Sequence, residues 1–169
     1  EPDLVLMDEP LGALDKNLRE EMQFEIKHIH ESLGVSVVYV THDQSEALTM
    51  SNRIAVFNDG VVQQLAAPEV LYEKPENAFV AQFIGENNKL TGKVTAVDGD
   101  IAQVTLDGGG DKVAALAVKC GGVGEKSQLS IRPERVILGD EDVPNKMSGK
   151  VVELIYLGDH IRCRMEVGD

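Results

Sequence analysis

Leu4-Val5-Leu6-Met7-Asp8-Glu9-Pro10 is an apolar run that ends in two adjacent carboxylates and a proline. The run is too short to cross a membrane and has the form of a buried strand in a parallel sheet. Its acids stand at the C-terminal end, where open α/β sheets place their ligands. In an extended backbone Asp8 and Glu9 point to opposite sides, so they can do different work. One can hold a hydrated Mg²⁺ while the other orients an attacking water, a division that phosphoryl transfer uses. An ordinary buried strand with a polar end has the same local pattern, so the reading depends on what surrounds it.

Immediately after it, Leu11-Gly12-Ala13-Leu14-Asp15 forms a glycine-containing loop. A long helix follows, with Leu14, Leu18, Met22, Ile26, Ile29 and Leu33 at helical spacing, Asp15 as N-cap and Gly34 as the stop. Lys16, Arg19, Glu20, Glu21, Glu25 and Lys27 make its charged, solvated face. His28 and His30 fall on different faces, which argues for two exposed histidines over a metal pair. Val35-Ser36-Val37-Val38-Tyr39-Val40-Thr41 is a second buried strand, and Thr41-His42-Asp43-Gln44 sits at its end. Strand, helix and strand make a βαβ unit, which brings both strand ends to one sheet edge. A lone histidine after a strand is more often a satisfied structural residue. Beside an Asp-Glu pair, a phosphate-facing His42 is the better reading.

Composition narrows the classes. The chain has 169 residues, 43% hydrophobic and 27% charged, a soluble globular balance with room for one full domain or two small ones. No apolar run approaches the ~20 residues of a spanning helix. A net charge of −13 argues against nucleic acid as a partner. Cys120 and Cys163 are the only cysteines and read as reduced, half-buried thiols in a cytosolic setting.

A short helix capped by Asp43 comes next, then a hairpin, residues 53–65, turning at Asn58-Asp59-Gly60. Pro68 starts a helix that Pro75 stops, and Asn77 opens another over 78–84 that ends at Gly85. In this order and spacing the motifs resemble the nucleotide-binding subunit of ATP-binding cassette (ABC) transporters. Residues 4–10 look like the Walker B strand with its catalytic glutamate, 11–15 like the D-loop, and 39–47 like the switch-histidine segment. The likeness continues through Asp59-Gly60 and Pro68 to Phe83-Ile84-Gly85, so it covers the first half.

The family's phosphate loop, glutamine-bearing loop and Leu-Ser-Gly-Gly-Gln signature are absent from the 169 residues. Gly121-Gly122-Val123-Gly124-Glu125-Lys126-Ser127 imitates a phosphate loop but lacks its spacing and any strand-to-helix context. The chain therefore looks like the C-terminal part of a longer subunit and is expected not to hydrolyse ATP alone. In the intact subunit the resemblance implies ATP and Mg²⁺ as cofactors. Asp8 would hold Mg²⁺ through water, Glu9 would act as general base, and His42 would contact the γ-phosphate. Asp15 would face a second copy of the subunit across bound ATP. The implied partners are that second copy, transmembrane permease subunits and, indirectly, a periplasmic or extracellular solute-binding protein, with the subunit peripheral on the cytoplasmic side of the bacterial inner membrane. Residues 13–19 and 83–88 resemble the putrescine/spermidine branch most, leaving sugar and iron(III) open.

Beyond Gly85 helical periodicity gives way to glycine and short β-branched runs. Lys89-Leu90-Thr91-Gly92-Lys93-Val94 recurs as Lys146-Met147-Ser148-Gly149-Lys150-Val151, which reads as duplication of a small β unit. Ile161, Cys163, Met165 and Val167 alternate with His160, Arg162, Arg164 and Glu166. Ser130-Ile131-Arg132-Pro133-Glu134 resembles an element of the transport-associated OB domain that follows the ATPase in importers of this type. The expected fold is thus α/β over 1–85, the C-terminal part of a P-loop NTPase-type ATPase domain, then an all-β OB-like barrel over 86–169. The second copy ends early at Asp169 against the family pattern, and the unpaired edges this leaves are expected to dimerise. Two other classes compete: an ABC ATPase without transport, which would not carry the OB tail, and a free-standing OB module that binds an oxyanion or small regulator.

Overall fold

A computed structural model describes residues 3–139 and 143–168. Glu1 and Asp169, the ends of the two expected domains, lie outside them. The chain divides into two compact units, one running to Pro75 and including Phe83–Gly85, the other made of Glu76–Gln82 and the residues from Glu86 onward.

In the first unit β1 (Leu4–Asp8) and β2 (Ser36–Val40) pair in parallel, from Leu4↔Ser36 to Asp8↔Val40, with α1 (Lys16–Leu33) between them in sequence. Asp15 caps α1 by accepting the Leu18 amide at 3.1 Å, and Gly34 in the left-handed region (φ 64°) closes it. Three expectations need correcting. The strands are one-sided: Val5, Met7, Val37 and Tyr39 are half-buried, but Leu4, Leu6, Val38 and Val40 face solvent. A two-stranded sheet hides one face and leaves the other open. The helix covers a different side from its leucine stripe: Gln23 is buried and Arg19, Met22, Ile26, Lys27 and His30 are half-buried, while Leu18, Ile29 and Leu33 are exposed. Arg19 and Lys27 therefore leave the solvated face assigned to them. His28 is exposed, but His30 is half-buried with Nδ1 2.8 Å from the Val35 carbonyl oxygen.

α2 (Gln44–Met50) is capped by Asp43, whose Oδ1 accepts from the Ser45 and Glu46 amides. The hairpin β3 (Ile54–Asn58) and β4 (Val61–Ala66) turns at Asp59-Gly60, both at positive φ. α3 (Pro68–Glu73) follows, whereas all but the last residue of α4 (Ala78–Phe83) belongs to the second unit. The buried apolar side chains of this unit are Leu11, Ile54, Val56, Leu71 and Ile84. Among the described residues no helix is long and apolar enough to cross a membrane.

The second unit is built on an antiparallel sheet in the order β7-β6-β5-β8, formed by Lys112–Leu116, Ile101–Leu106, Asn88–Asp98 and Lys126–Ile131. The long β5 pairs with β8 through its first half and with β6 through its second. Its register slips between Val94 and Ala96, and such a bulge bends and twists the strand. Val94, Ala102, Val104, Leu106 and Val113 form the core, the valines and the leucine each contributing on the order of 1.5–3 kcal/mol by burial. The curled sheet is consistent with the expected OB-like barrel domain, although no ladder among the described residues closes it. At Ala114 the outer edge of β7 is occupied by Asn145, whose carboxamide accepts from the Ala114 amide at 2.7 Å and donates to its carbonyl at 3.0 Å. The phosphate-loop imitation is a turn into β8, with the Gly122 amide donating to Glu125.

β9 (Gly149–Tyr156) and β10 (Ile161–Val167) make a separate hairpin that repeats the first. Gly149↔Val167, Lys150↔Glu166 and Val151↔Met165 reproduce Gly92↔Leu106, Lys93↔Thr105 and Val94↔Val104. Thr95 and Val152, the residues skipped by the two register slips, occupy equivalent positions of the repeat. The duplicated sequence is a duplicated bulged hairpin. Arg132 donates from Nη1 to the carbonyls of Ala81 (3.0 Å) and Glu86 (3.1 Å), which gives the Ile-Arg-Pro-Glu element a structural use. Cys120 and Cys163 are free and half-buried.

The two repeat glycines differ in crowding. A Cβ on Gly92 would lie 2.5 Å from the Thr105 carbonyl oxygen and 2.6 Å from a Val104 methyl, whereas at Gly149 the nearest atom is the Glu166 carbonyl oxygen at 3.1 Å. Gly92→Ala is expected to destabilise the chain by about 1–3 kcal/mol and Gly149→Ala by less, as read from urea unfolding midpoints.

Candidate active site

The register Asp8↔Val40 brings the ends of β1 and β2 side by side. The chain leaves β1 through Glu9, whose amide donates to the Val40 carbonyl at 2.9 Å and whose φ is +44°. That left-handed conformation is uncommon for a residue with a side chain and collects at functional sites. It also corrects the alternation argument, because Glu9 is not extended and its direction is set by the turn. The Gly12 amide donates to the Glu9 carbonyl at 3.2 Å and closes that turn. Glu9 Oε1 then lies 2.9 Å from Nδ1 of His42, just past the end of β2.

Both side chains are largely exposed, at 51% for Glu9 and 77% for His42. The hydrogen bond to Glu9, and then its charge, raise the His42 pKa above its ordinary 6.5, with smaller help from the carboxylates of Asp43 and Glu46. Asp8 is exposed at the last position of β1. Asp15 has its carboxylate engaged as the cap of α1.

Behind the pair lies a polar network. Glu46 is only 3% exposed, and its Oε2 accepts from the Tyr39 hydroxyl at 2.9 Å and the Thr41 hydroxyl at 2.7 Å. Burial, then the bond to Glu46 and its charge, push the Tyr39 pKa well above its usual value, so it stays a phenol donor. The Asp43 amide donates to Thr41 Oγ1 at 3.0 Å. Arg19 donates from Nη1 to Asp43 Oδ2 at 3.1 Å and from Nη2 to the Leu14 carbonyl at 3.0 Å, while its Nε sits 3.7 Å from Glu46 Oε1.

Sequence reasoning missed Arg19, Tyr39 and Glu46 as members of this region. Asp43-x-x-Glu46 does match a capping box, yet Glu46 turns to Tyr39 and Thr41, and Thr41 takes the amide that Glu46 would have bonded. Nothing in the spacing of α1 marks Arg19.

Glu9, Gly12, Arg19, Thr41, His42, Asp43 and Glu46 line a notch of about 20 Å³, the space of a water molecule and not of a nucleotide. No group of three or more His, Cys, Asp or Glu among the described residues could hold a metal ion. Mg²⁺ bound to nucleotide needs only one or two carboxylates, since water and phosphate supply the rest. The exposed Asp8, a hard oxygen donor, fits that demand.

Comparison with known proteins agrees with these motifs. Residues 129–169 match the TOBE domain. The chain is 48% identical over 161 residues to the spermidine/putrescine import ATP-binding protein of Rubrobacter xylanophilus, aligning 93% of this chain with 42% of that protein. It is 47% identical over 177 residues to the protein of the same name from Chromobacterium violaceum, with 99% and 47% covered. A Pseudomonas aeruginosa relative, again of that name, is 48% identical over 162 residues, with 94% and 44% covered. The chain thus spans less than half the length of the curated relatives it matches. Over nearly all of its own length, it is a relative of the ATP-binding subunits of ABC importers, with a TOBE domain at its C-terminal end.

Proposed function

We propose that this chain is the part of an ATP-hydrolysing importer subunit that carries the catalytic carboxylate and the switch histidine. The observation that carries the reading is the 2.9 Å contact between Glu9 and His42 at the tips of adjacent parallel strands. Residues 1–85 act as the motor portion and 86–169 as a TOBE/OB-type regulatory portion.

The chemistry follows from the proton inventory of the pair. An imidazole whose Nδ1–H donates to Glu9 has only Nε2 left for a phosphate. Nε2 can donate there only if the ring is protonated. Glu9 favours that imidazolium, so one cation can bridge a carboxylate and a γ-phosphate. The carboxylate in turn accepts a proton from, or orients, the attacking water. Asp8 would hold Mg²⁺, which when bound neutralises phosphate charge. Phosphoryl transfer is mostly positioning and charge stabilisation, which suits a site made of three such groups.

Asp15, already the cap of α1, would present its loop to a second copy of the subunit. The intact protein would couple ATP and Mg²⁺ to permease subunits and, through them, to a solute-binding protein, from the cytoplasmic face of the membrane. The names of the relatives favour spermidine and putrescine as the solute. The 169 residues alone, without a phosphate loop, would not turn over ATP. The alternative of a small-ligand OB module has less support: in the roughly 200 Å³ hollow lined by Leu90, Thr91, Asp107 and Asp111, Asp107 is already engaged by Thr91 at 3.0 Å and Lys126 at 3.7 Å.

In the intact protein Glu9→Gln is expected to bind ATP normally and to lower steady-state hydrolysis by about 100-fold or more. Normal turnover by that variant would refute the assignment. NMR titration of the chain should place the His42 midpoint above 6.5, and Glu9→Gln should return it towards that value. Because the folded pKa is the raised one, the ion pair is fully formed below pH 6.5. It is lost as pH rises through the folded midpoint, and hydrolysis should fall over the same window.

A further inference from the structure

We propose that Arg19 is a positioning residue, a clamp that joins the loop leaving β1 to the segment leaving β2 and so holds Glu9 against His42. Its three polar neighbours all lie off its own helix: the Leu14 carbonyl at 3.0 Å, Asp43 at 3.1 Å and Glu46 at 3.7 Å. Leu14 belongs to the loop that follows Glu9, and Asp43 is the residue after His42. One planar guanidinium therefore spans the two segments that carry the reacting pair. The contrast is Lys16 with Glu20, an exposed pair at 3.9 Å within one helix that joins no two segments.

The fork is needed because the pair it serves is not self-supporting. Glu9 and His42 face solvent, where a single hydrogen bond competes with water. Arg19 is itself half-buried, with only 29% of its side chain exposed. Its buried Nε makes no hydrogen bond, so the two Nη donors carry the link. Lysine offers a point charge without the fork and could satisfy one segment at a time. The effect on turnover rests on the ATPase reading above; the effect on the Glu9–His42 geometry does not.

The charged groups that act on His42 are Glu9 from the end of β1 and Asp43 and Glu46 from the start of α2, while the Arg19 cation from α1 shares the lining of the notch and pairs with Asp43 and Glu46. Removing that cation has different consequences under the two accounts. Loss of charge alone leaves the His42 midpoint in place or raises it, because the carboxylates of Asp43 and Glu46 are then no longer offset. Loss of the clamp lowers it towards 6.5, because the bond to Glu9 loosens.

The test is an NMR titration of His42 in the 169-residue chain carrying Arg19→Gln, with folding checked by circular dichroism. A midpoint that falls supports the clamp; one that stays or rises in a folded variant overturns it. If Arg19→Gln does not fold, Arg19→Lys decides. It keeps the charge, so a fall there reports geometry, and an unchanged midpoint overturns the proposal. In the intact subunit Arg19→Gln should lower kcat by about 100-fold with ATP affinity within about twofold, and Arg19→Lys should recover part of the loss. An equal loss of binding and turnover counts against positioning. Were the unmodified subunit to hydrolyse no ATP, the functional reading would fall while the titration still decided the clamp.

Discussion

The parallel register of β1 and β2 is the constraint on which the site depends. Pairing Asp8 with Val40 leaves Glu9 and the Thr41-His42 segment to emerge from neighbouring strands at the same level. A slip of one residue would turn every side chain of a strand to the other face and carry the histidine away from the carboxylate. Glu9 then departs from the strand path, trading an extended conformation for φ +44° and a bond from its amide to Val40. That strain is tolerable because β1 fixes the residues before it and the Gly12 amide fixes the carbonyl after it.

The network behind the pair shows how an acid can be buried beside two others. Glu46 at 3% exposure would be costly alone, but it receives two hydroxyl donors, and a cation stands within 4 Å. Tyr39 and Thr41 belong to β2 and its end, Glu46 to α2, Arg19 to α1. The residues that satisfy the buried charge are thus the ones that tie together the three elements around the site. Stability and positioning use the same bonds here.

Elements set by short-range chemistry were legible in the sequence. Asp15 and Gly34 bound α1, Asp43 caps α2, Asp59-Gly60 makes a hairpin turn, and the repeat around Gly92 and Gly149 folds as two hairpins with matching bulges. The proximity of His42 to Glu9 was readable because a βαβ path leaves little freedom. What could not be read was which face of each element would be covered. Leucines at helical spacing mark the apolar side of α1, but coverage depends on what packs there, and Arg19 took an inward place because distant polar partners awaited it. Nor could periodicity reveal that Asn145 occupies the edge of β7, since a side chain that imitates a strand leaves no pattern along the chain.

A pair as open as Glu9 and His42 contributes little to folding, because water screens it and competes for both groups. Its geometry must therefore be supplied by the strand register and the surrounding network, which is the reverse of a buried ion pair that organises its own surroundings. The arrangement suits a site that works only when covered. When a phosphate and a partner surface exclude solvent, the effective dielectric falls, and the same short contact becomes far stronger with no movement of the chain. Under the proposed function, holding the groups in place beforehand, at low electrostatic strength, would leave that gain to the moment when charge develops on a transferring group.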